Sequence, residues 1–251
     1  MRRWFRLALL ALVMFVGPAR AQDHSAQERL NVVASFSILA DLVRNVGGDK
    51  VNVAALVGPE GDAHVYRPTP ADARKVAEAK LLFINGFALE GWLPRLVQSA
   101  GGKATVITAT DGITPIKLGS APDSHAWQSV ANAKIYVANI RDALAAANPA
   151  NAAAFRANAE GYLAELEALD SEVRQAVATI PEARRKVIST HRAFGYFAAA
   201  YGIEFIAPVG VSTESEPSAR DIAGIITQIK KAKIPAIFLE NVSDPRLIQR
   251  I

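Results

Sequence analysis

Residues 149–179, PANAAAFRANAEGYLAELEALDSEVRQAVAT, decide the fold. This stretch has no proline after Pro149, and alanine, leucine and glutamate dominate it. Its larger apolar residues recur at spacings of three, four or seven, which is typical of an amphipathic helix. They are Phe155, Tyr162, Leu166, Leu169, Val173 and Val177. At about 1.5 Å per residue the helix would be roughly 45 Å long, which exceeds a small lobe. We therefore predict that it joins two lobes.

On both sides of this helix the chain alternates between strand and helix patterns. Short apolar runs predict strands before the helix at residues 30–35, 51–57, 80–85 and 104–108, and after it at 186–190, 203–209 and 235–240. Helical patterns separate most of these runs. Such alternation predicts an α/β protein with mostly parallel sheets.

The predicted division of the chain follows from these patterns. We expect an N-terminal α/β lobe at residues 22–148, the linker helix at 149–180 and a C-terminal α/β lobe at 181–251. The second lobe is then much shorter than the first, so we expect it to be incomplete. A small natural C-terminal lobe is the alternative.

Residues 1–21 have the pattern of a secretory signal peptide. Arginines come first, residues 7–16 are all apolar, and Ala-Arg-Ala at 19–21 provides a cleavage site. The apolar run is too short to span a bilayer. The chain has no cysteine, so we expect no lipid anchor on a cysteine. The prediction is a cleaved, exported, periplasmic protein.

The charge balance argues against nucleic acid as a partner. Four of the 28 lysines and arginines lie in residues 1–21, and the rest of the chain has as many acidic as basic residues. A neutral mature chain lacks the positive charge that attracts phosphate backbones. Without cysteine, disulfides and thiolate ligands are also excluded, so any metal must be held by nitrogen and oxygen.

The histidines are few and widely separated. Apart from His24, the chain has only His64, His125 and His191, each in a predicted loop beside a strand or helix. Neutral imidazole is the commonest protein ligand for zinc and similar metals, and Asp123 is well placed to orient the His125 ring. We predict that the three rings converge on one metal site. Taken singly, each also fits an ordinary surface or helix-terminal histidine.

Four segments together resemble the solute-binding proteins of zinc and manganese ABC importers. They are residues 62–70 (DAHVYRPTP), 123–127 (DSHAW), 190–197 (THRAFGYF) and 216–218 (EPS). The resemblance implies two α/β lobes joined by one long helix, with the metal held between them by His64, His125 and His191. It also implies a membrane permease as partner, and we expect a monomer. The family's fourth ligand is an acidic residue later in the chain, and we expect it beyond residue 251.

The nature of the ligands favours zinc. Three imidazoles suit Zn²⁺ better than the harder Mn²⁺, which prefers oxygen and is the alternative. We expect metal affinity to fall as the pH drops through the histidine range, because protons compete for the same nitrogens.

Two rival functions stay open. A zinc-dependent hydrolase could also use three histidines, but the chain has no H-E-x-x-H helix, and Glu60, Glu214 and Glu240 are candidate general bases only by default. A protein that binds an organic ligand, such as a metal chelate, would leave the three histidines unexplained.

Overall fold

The N-terminal part of the chain forms a four-stranded parallel sheet. The structure is a computed structural model that describes residues 29–210, 213–214, 218–232 and 234–241. The elements of this part are β1 (Leu30–Phe36), α1 (Ser37–Gly47), β2 (Val51–Val57), α2 (Pro70–Glu78), β3 (Leu81–Ile84), α3 (Leu93–Ser99) and β4 (Thr105–Thr108). The strand order is β2-β1-β3-β4, and every neighbouring pair is parallel.

Helices cover both faces of this sheet. Along β1, Val32 and Ala34 belong to one hydrophobic cluster and Val33 to another, because successive side chains of a strand point to opposite faces. The first cluster also contains residues of α1 and of the long helices described below, whereas the second contains residues of α2 and α3. Strands buried on both faces have nearly continuous apolar runs, which explains the sequence of β1.

A short hairpin leads from this sheet to the long helices. It consists of β5 (Lys117–Leu118) and β6 (Ala121–Pro122), and α4 (Val130–Ala147) follows. A 3₁₀ turn at Pro149–Asn151 then precedes α5 (Ala152–Ala178), which has 27 residues. The predicted linker helix therefore exists but starts three residues later than expected, because the chain after Pro149 first forms this tighter turn.

Helix α5 contacts both parts of the protein. Its first half packs on α1 and α4 with Phe155, Ala159 and Leu166, all buried. Near its end Asp170 accepts a hydrogen bond of 2.8 Å from the hydroxyl of Tyr201, on the next helix of the chain. Leu169 lies outside the buried stripe, because 45% of it is exposed.

The C-terminal part has a second, smaller parallel sheet. Its elements are β7 (Lys186–Ile188), α6 (Gly195–Tyr201), β8 (Glu204–Ile206) and α7 (Ala219–Ala232), and β7 pairs with β8. The predicted α/β fold, with two parallel sheets joined by a long helix, is thus confirmed. The division at residues 148 and 180 stays a prediction.

The expected strand at 235–240 is wrong in part. This segment forms a single parallel bridge between Ile237 and Ile188, with two hydrogen bonds to the Ile188 backbone. The segment therefore pairs with β7 at one residue only, and no further backbone hydrogen bonds extend this pairing among the described residues.

Several sequence features lie outside the described residues. These are the proposed signal peptide, His24 and the first two residues of the Glu216-Pro217-Ser218 motif. Within the described ranges, no helix has both the length and the apolar character needed to cross a bilayer.

Helix α2 begins with a capping box that also anchors the preceding loop. The buried carboxylate of Asp72 accepts hydrogen bonds from the Thr69 N–H (2.9 Å), the Thr69 hydroxyl (2.7 Å) and the Tyr66 hydroxyl (2.8 Å). Lys75 donates a further bond of 3.0 Å. Burial alone would raise the pKa of Asp72, but these hydrogen bonds outweigh it and hold the pKa well below its usual range.

The substitution Asp72→Ala should therefore lower the free energy of unfolding by about 2 kcal/mol at pH 7. A group whose pKa is lowered by folding stabilises the protein above its unfolded-state pKa, here near 3.8, and the stabilisation is lost as the pH falls further. Urea denaturation at pH 7 and pH 3 should show a smaller effect at pH 3. Glu78→Ala, on the same helix and exposed, is the control, and an equal effect of both substitutions at pH 7 would contradict the capping role.

Candidate metal centre

His64, His125 and His191 converge between the two sheets. His64 lies in the loop after β2, His125 follows β6, and His191 follows β7. The Nε2 atom of His125 is 3.1 Å from Nε2 of His64 and 3.2 Å from Nε2 of His191. One ring nitrogen of each residue lies within 4.8 Å of the others. The structure thus brings together all three histidines selected from the sequence.

The loop that carries His64 is fixed at both ends. Asp62 accepts a hydrogen bond of 2.8 Å from the His64 N–H. The indole N–H of Trp92 donates to the Ala63 carbonyl at 2.8 Å. Together with the bond from Tyr66 to Asp72, these contacts hold a glycine- and proline-rich loop in one position.

Asp123 holds His125 in one orientation. Its Oδ1 atom is 3.0 Å from the His125 backbone nitrogen and 2.9 Å from Nδ1 of the ring. A carboxylate accepts protons and does not donate them, so Nδ1 carries the ring proton and Nε2 keeps its lone pair. The ring of Trp127 packs against the imidazole with centroids 5.2 Å apart. The orienting role expected of Asp123 thus agrees with the geometry.

A buried polar network supports the loop of His125, and no pattern in the sequence indicates it. The side-chain amide of Asn85 donates to the Ser124 carbonyl at 2.8 Å, and its oxygen accepts a bond from Tyr136. Glu90 accepts bonds from the Asn85 N–H (2.7 Å) and the Ser35 hydroxyl (2.6 Å). Burial raises the pKa of Glu90. Asn85 and Glu90 follow β3 in the chain, and this position was the only available signal.

His191 has its own carboxylate. Oε2 of Glu240 lies 2.6 Å from His191 Nδ1, and Oε1 of Glu240 is 3.3 Å from the His191 backbone nitrogen. From the sequence alone, Glu240 is only a candidate general base.

The C-terminal part also contacts the loops of the other two histidines. The Tyr196 hydroxyl donates to the Asp123 carbonyl at 3.0 Å and accepts from the Ile116 N–H at 3.1 Å. Thr213 donates to Asp62 at 2.5 Å. Gly195 lies directly against Asp123, since a Cβ atom at position 195 would come within 2.4 Å of Asp123 Oδ2. The two sheets therefore meet around the histidines.

Burial keeps the imidazoles of His64 and His125 neutral. It lowers the pKa of His64 to about 4, with a further contribution from the neighbouring His125. Burial likewise lowers the pKa of His125 and outweighs the opposing effect of the hydrogen bond that its ring donates to Asp123. At neutral pH, therefore, both rings can offer a lone pair to a cation.

The spacing of the ring nitrogens fits a tetrahedral cation. Zinc–nitrogen bonds of about 2.0–2.1 Å place two ligand nitrogens about 3.3 Å apart, close to the 3.1 and 3.2 Å between the Nε2 atoms. No carboxylate of the described residues joins this cluster. Of the candidate general bases, Glu60 lies 3.3 Å from Asn241 Nδ2 at the surface, and Glu240 contacts the far side of the His191 ring.

Comparison with known proteins agrees with the geometry. A family model described as zinc-uptake complex component A, periplasmic, matches residues 32–251. A manganese ABC transporter substrate-binding lipoprotein of Streptococcus gordonii is 32% identical over 98% of this chain and 84% of its own length. The manganese-binding lipoprotein MntA of Halalkalibacterium halodurans is 32% identical over 94% of this chain and 80% of its own length.

Solved structures show the same fold. The periplasmic zinc-binding protein TroA of Treponema pallidum has a TM-score of 0.85 at 30% identity, and the match covers 88% of this chain and 81% of TroA. A manganese-bound periplasmic metal-binding protein of Candidatus Liberibacter asiaticus has a TM-score of 0.78 at 30% identity, and the match covers 89% of this chain and 84% of that protein.

The pKa values alter the expected pH dependence of metal binding. If all three imidazoles had an ordinary pKa near 6.5, their protonation would lower the Zn²⁺ affinity about a thousandfold between pH 7.5 and pH 5.5. Because folding lowers the pKa of His64 to about 4 and lowers that of His125 as well, we expect a loss of at most about a hundredfold over this range. Competition with a chelator of known pH dependence measures this. A thousandfold loss by pH 5.5 would contradict the prediction.

Gly195→Ala should weaken metal binding through Asp123. The added methyl group must displace the Asp123 carboxylate, which then releases the His125 ring, and changes in such supporting residues typically cost 10–100-fold in affinity. Isothermal titration with Zn²⁺ should show a loss of about tenfold or more. Gly161→Ala is the matched control, because nothing lies within 4 Å of a Cβ atom there. Equal affinities of the two variants would exclude this role of Gly195.

Proposed function

The chain belongs to the zinc-uptake complex component A family of periplasmic proteins, and we propose that it captures Zn²⁺ with His64, His125 and His191 and delivers it to the membrane permease of an ABC importer. Members of this family are metal-binding, substrate-binding transport proteins and not enzymes. The observation that supports the proposal most directly is the convergence of three ring nitrogens from distant parts of the chain.

The choice of zinc depends on the donor atoms. Three imidazole nitrogens within 4.8 Å of one another favour Zn²⁺ over Mn²⁺, which prefers oxygen ligands. The matched family is described as a zinc-uptake component, and TroA is named as zinc-binding. The relatives from Streptococcus gordonii and Halalkalibacterium halodurans are named for manganese, and manganese is therefore the alternative cargo.

Capture and release follow from where the ligands lie. His64 and His125 belong to the N-terminal part, whereas His191 follows β7 of the second sheet. A metal bound by all three joins the two parts, and their separation would remove His191 from the coordination shell. We propose that docking of a monomer on the permease causes this separation. A fourth, oxygen ligand comes in this proposal from outside the described residues.

The proposed location of the protein is based on its N-terminal sequence and on the names of its relatives. The signal peptide proposed for residues 1–21 would export the chain, and the streptococcal and Halalkalibacterium relatives are lipoproteins by name. We propose that the protein acts on the outer side of the cytoplasmic membrane.

A zinc-dependent hydrolase has no support. Family membership indicates transport, and none of the three candidate general bases joins the histidine cluster among the described residues.

A calorimetric titration of the metal-stripped protein tests the cargo. We expect one tight Zn²⁺ site per chain that a hundredfold excess of Mn²⁺ does not displace, because nitrogen donors bind zinc more strongly. Displacement by Mn²⁺ would overturn zinc and keep the family. The absence of saturable binding of either ion would overturn the metal-capture proposal.

Single substitutions test the ligands. His64→Ala, His125→Ala and His191→Ala should each weaken Zn²⁺ binding by at least about a hundredfold, since each removes one metal bond. His24→Ala is the control because His24 is the one histidine outside the sequence segments that resemble the family. If His64→Ala binds zinc as well as His24→Ala does, the ligand set is wrong.

A further inference from the structure

The two carboxylate oxygens of Glu240 contact the backbone and the ring of His191. Oε1 accepts hydrogen bonds from the Thr190 N–H (3.0 Å) and the Thr190 hydroxyl (2.5 Å), and it lies 3.3 Å from the His191 backbone nitrogen. Oε2 lies 2.6 Å from Nδ1 of the His191 ring. Only 15% of the Glu240 side chain is exposed. Hydrogen bonds from Thr190 therefore hold this carboxylate in place, and its Oε2 atom lies against the His191 ring.

The short contact indicates where the ring proton lies. Two atoms with lone pairs repel each other at 2.6 Å, so a proton must lie between Nδ1 and Oε2. Nδ1 of His191 is buried and has no other hydrogen-bond partner among the described residues. Oε1 of Glu240 already accepts hydrogen bonds from the Thr190 N–H and the Thr190 hydroxyl, which favour the ionised carboxylate. A carboxylate in this state only accepts, so the proton belongs to Nδ1.

The proton on Nδ1 determines what Nε2 can do. A neutral imidazole with Nδ1 protonated has its lone pair on Nε2. For His191 this lone pair faces Nε2 of His125, 3.2 Å away, whose own Nδ1 proton is held by Asp123. Two facing lone pairs are unfavourable unless a cation binds between them.

Resting on the function proposed above, we infer that Glu240 is a positioning residue that sets the ring-proton location of His191 and so prepares its Nε2 to bind metal. The role parallels that of Asp123 toward His125, but Glu240 comes from a distant segment of the chain. That segment also reaches the first metal-binding loop, because the adjacent Asn241 donates a 2.9 Å hydrogen bond to the Pro59 carbonyl. Glu240 thus places the histidine of the second sheet opposite the two histidines of the first.

The substitution Glu240→Gln separates this role from a general structural one. The amide has nearly the shape of the carboxylate, and its oxygen can still accept the bonds from Thr190. Its NH₂ group, however, donates a proton toward His191 Nδ1 and makes that nitrogen an acceptor. The ring proton then moves to Nε2, where it competes directly with the metal.

Nitrogen NMR on ¹⁵N-histidine-labelled, metal-stripped protein at pH 8 reports the proton position without any metal. We expect the proton of His191 on Nδ1 in the unchanged protein and on Nε2 in Glu240→Gln. Zinc affinity should fall by about 10–100-fold in the variant. Glu204→Gln is the control, because Glu204 pairs with Lys186 at the surface, 2.8 Å away. It should leave both the proton position and the affinity unchanged.

Each outcome decides the inference. A proton on Nε2 of His191 in the unchanged protein would overturn it even if Glu240→Gln failed to fold. Equal zinc affinities of Glu240→Gln and Glu204→Gln, with the His191 proton in the same place, would also overturn it. If the NMR result is as expected but the unchanged protein binds neither zinc nor manganese, the proposed function fails while the structural role of Glu240 toward His191 stands.

Discussion

Carboxylates on the outer side of two imidazoles hold the ring protons away from the centre of the histidine cluster. Asp123 contacts Nδ1 of His125 at 2.9 Å, and Glu240 contacts Nδ1 of His191 at 2.6 Å. Because each ring has only one proton when neutral, fixing it on Nδ1 leaves Nε2 as a donor to a metal. Burial contributes to the same end, since it lowers the pKa of His64 and His125 and keeps those rings uncharged.

The scaffold explains how residues so distant in sequence reach one place. The carboxyl ends of parallel strands are the usual ligand-binding edge of an α/β sheet. His64 follows β2 and His191 follows β7, while Asn85, which supports the His125 loop, follows β3. Helix α5 packs on the first sheet's helices and contacts α6 of the second part, so it keeps these two edges facing each other.

Much of this arrangement is visible in the sequence, because it depends on local patterns. Apolar runs located β1 and β2 nearly to the residue, and the spacing of apolar side chains located α5. The scarcity of histidine indicated the three residues that the structure brings together. Each of these sequence patterns depends on residue type or on neighbours within a few positions along the chain.

What the sequence did not reveal consists of contacts between distant residues. Glu240 lies 49 positions from His191 and Tyr196 lies 73 positions from Asp123, and no pattern in a single sequence links such pairs. The Glu90–Asn85 network was missed because a glutamate in a loop usually faces solvent. The strand expected at 235–240 was wrong in part for a similar reason, because the extent of strand pairing depends on contacts with a distant segment of the chain.

X-ray absorption at the zinc edge of the zinc-loaded protein tests the central claim most directly. Three imidazole nitrogens fixed in advance predict a four-coordinate site with three imidazoles at about 2.0 Å and one oxygen ligand. A spectrum with two or fewer imidazoles, or with six oxygen ligands, would contradict the assignment of His64, His125 and His191 as a common metal site.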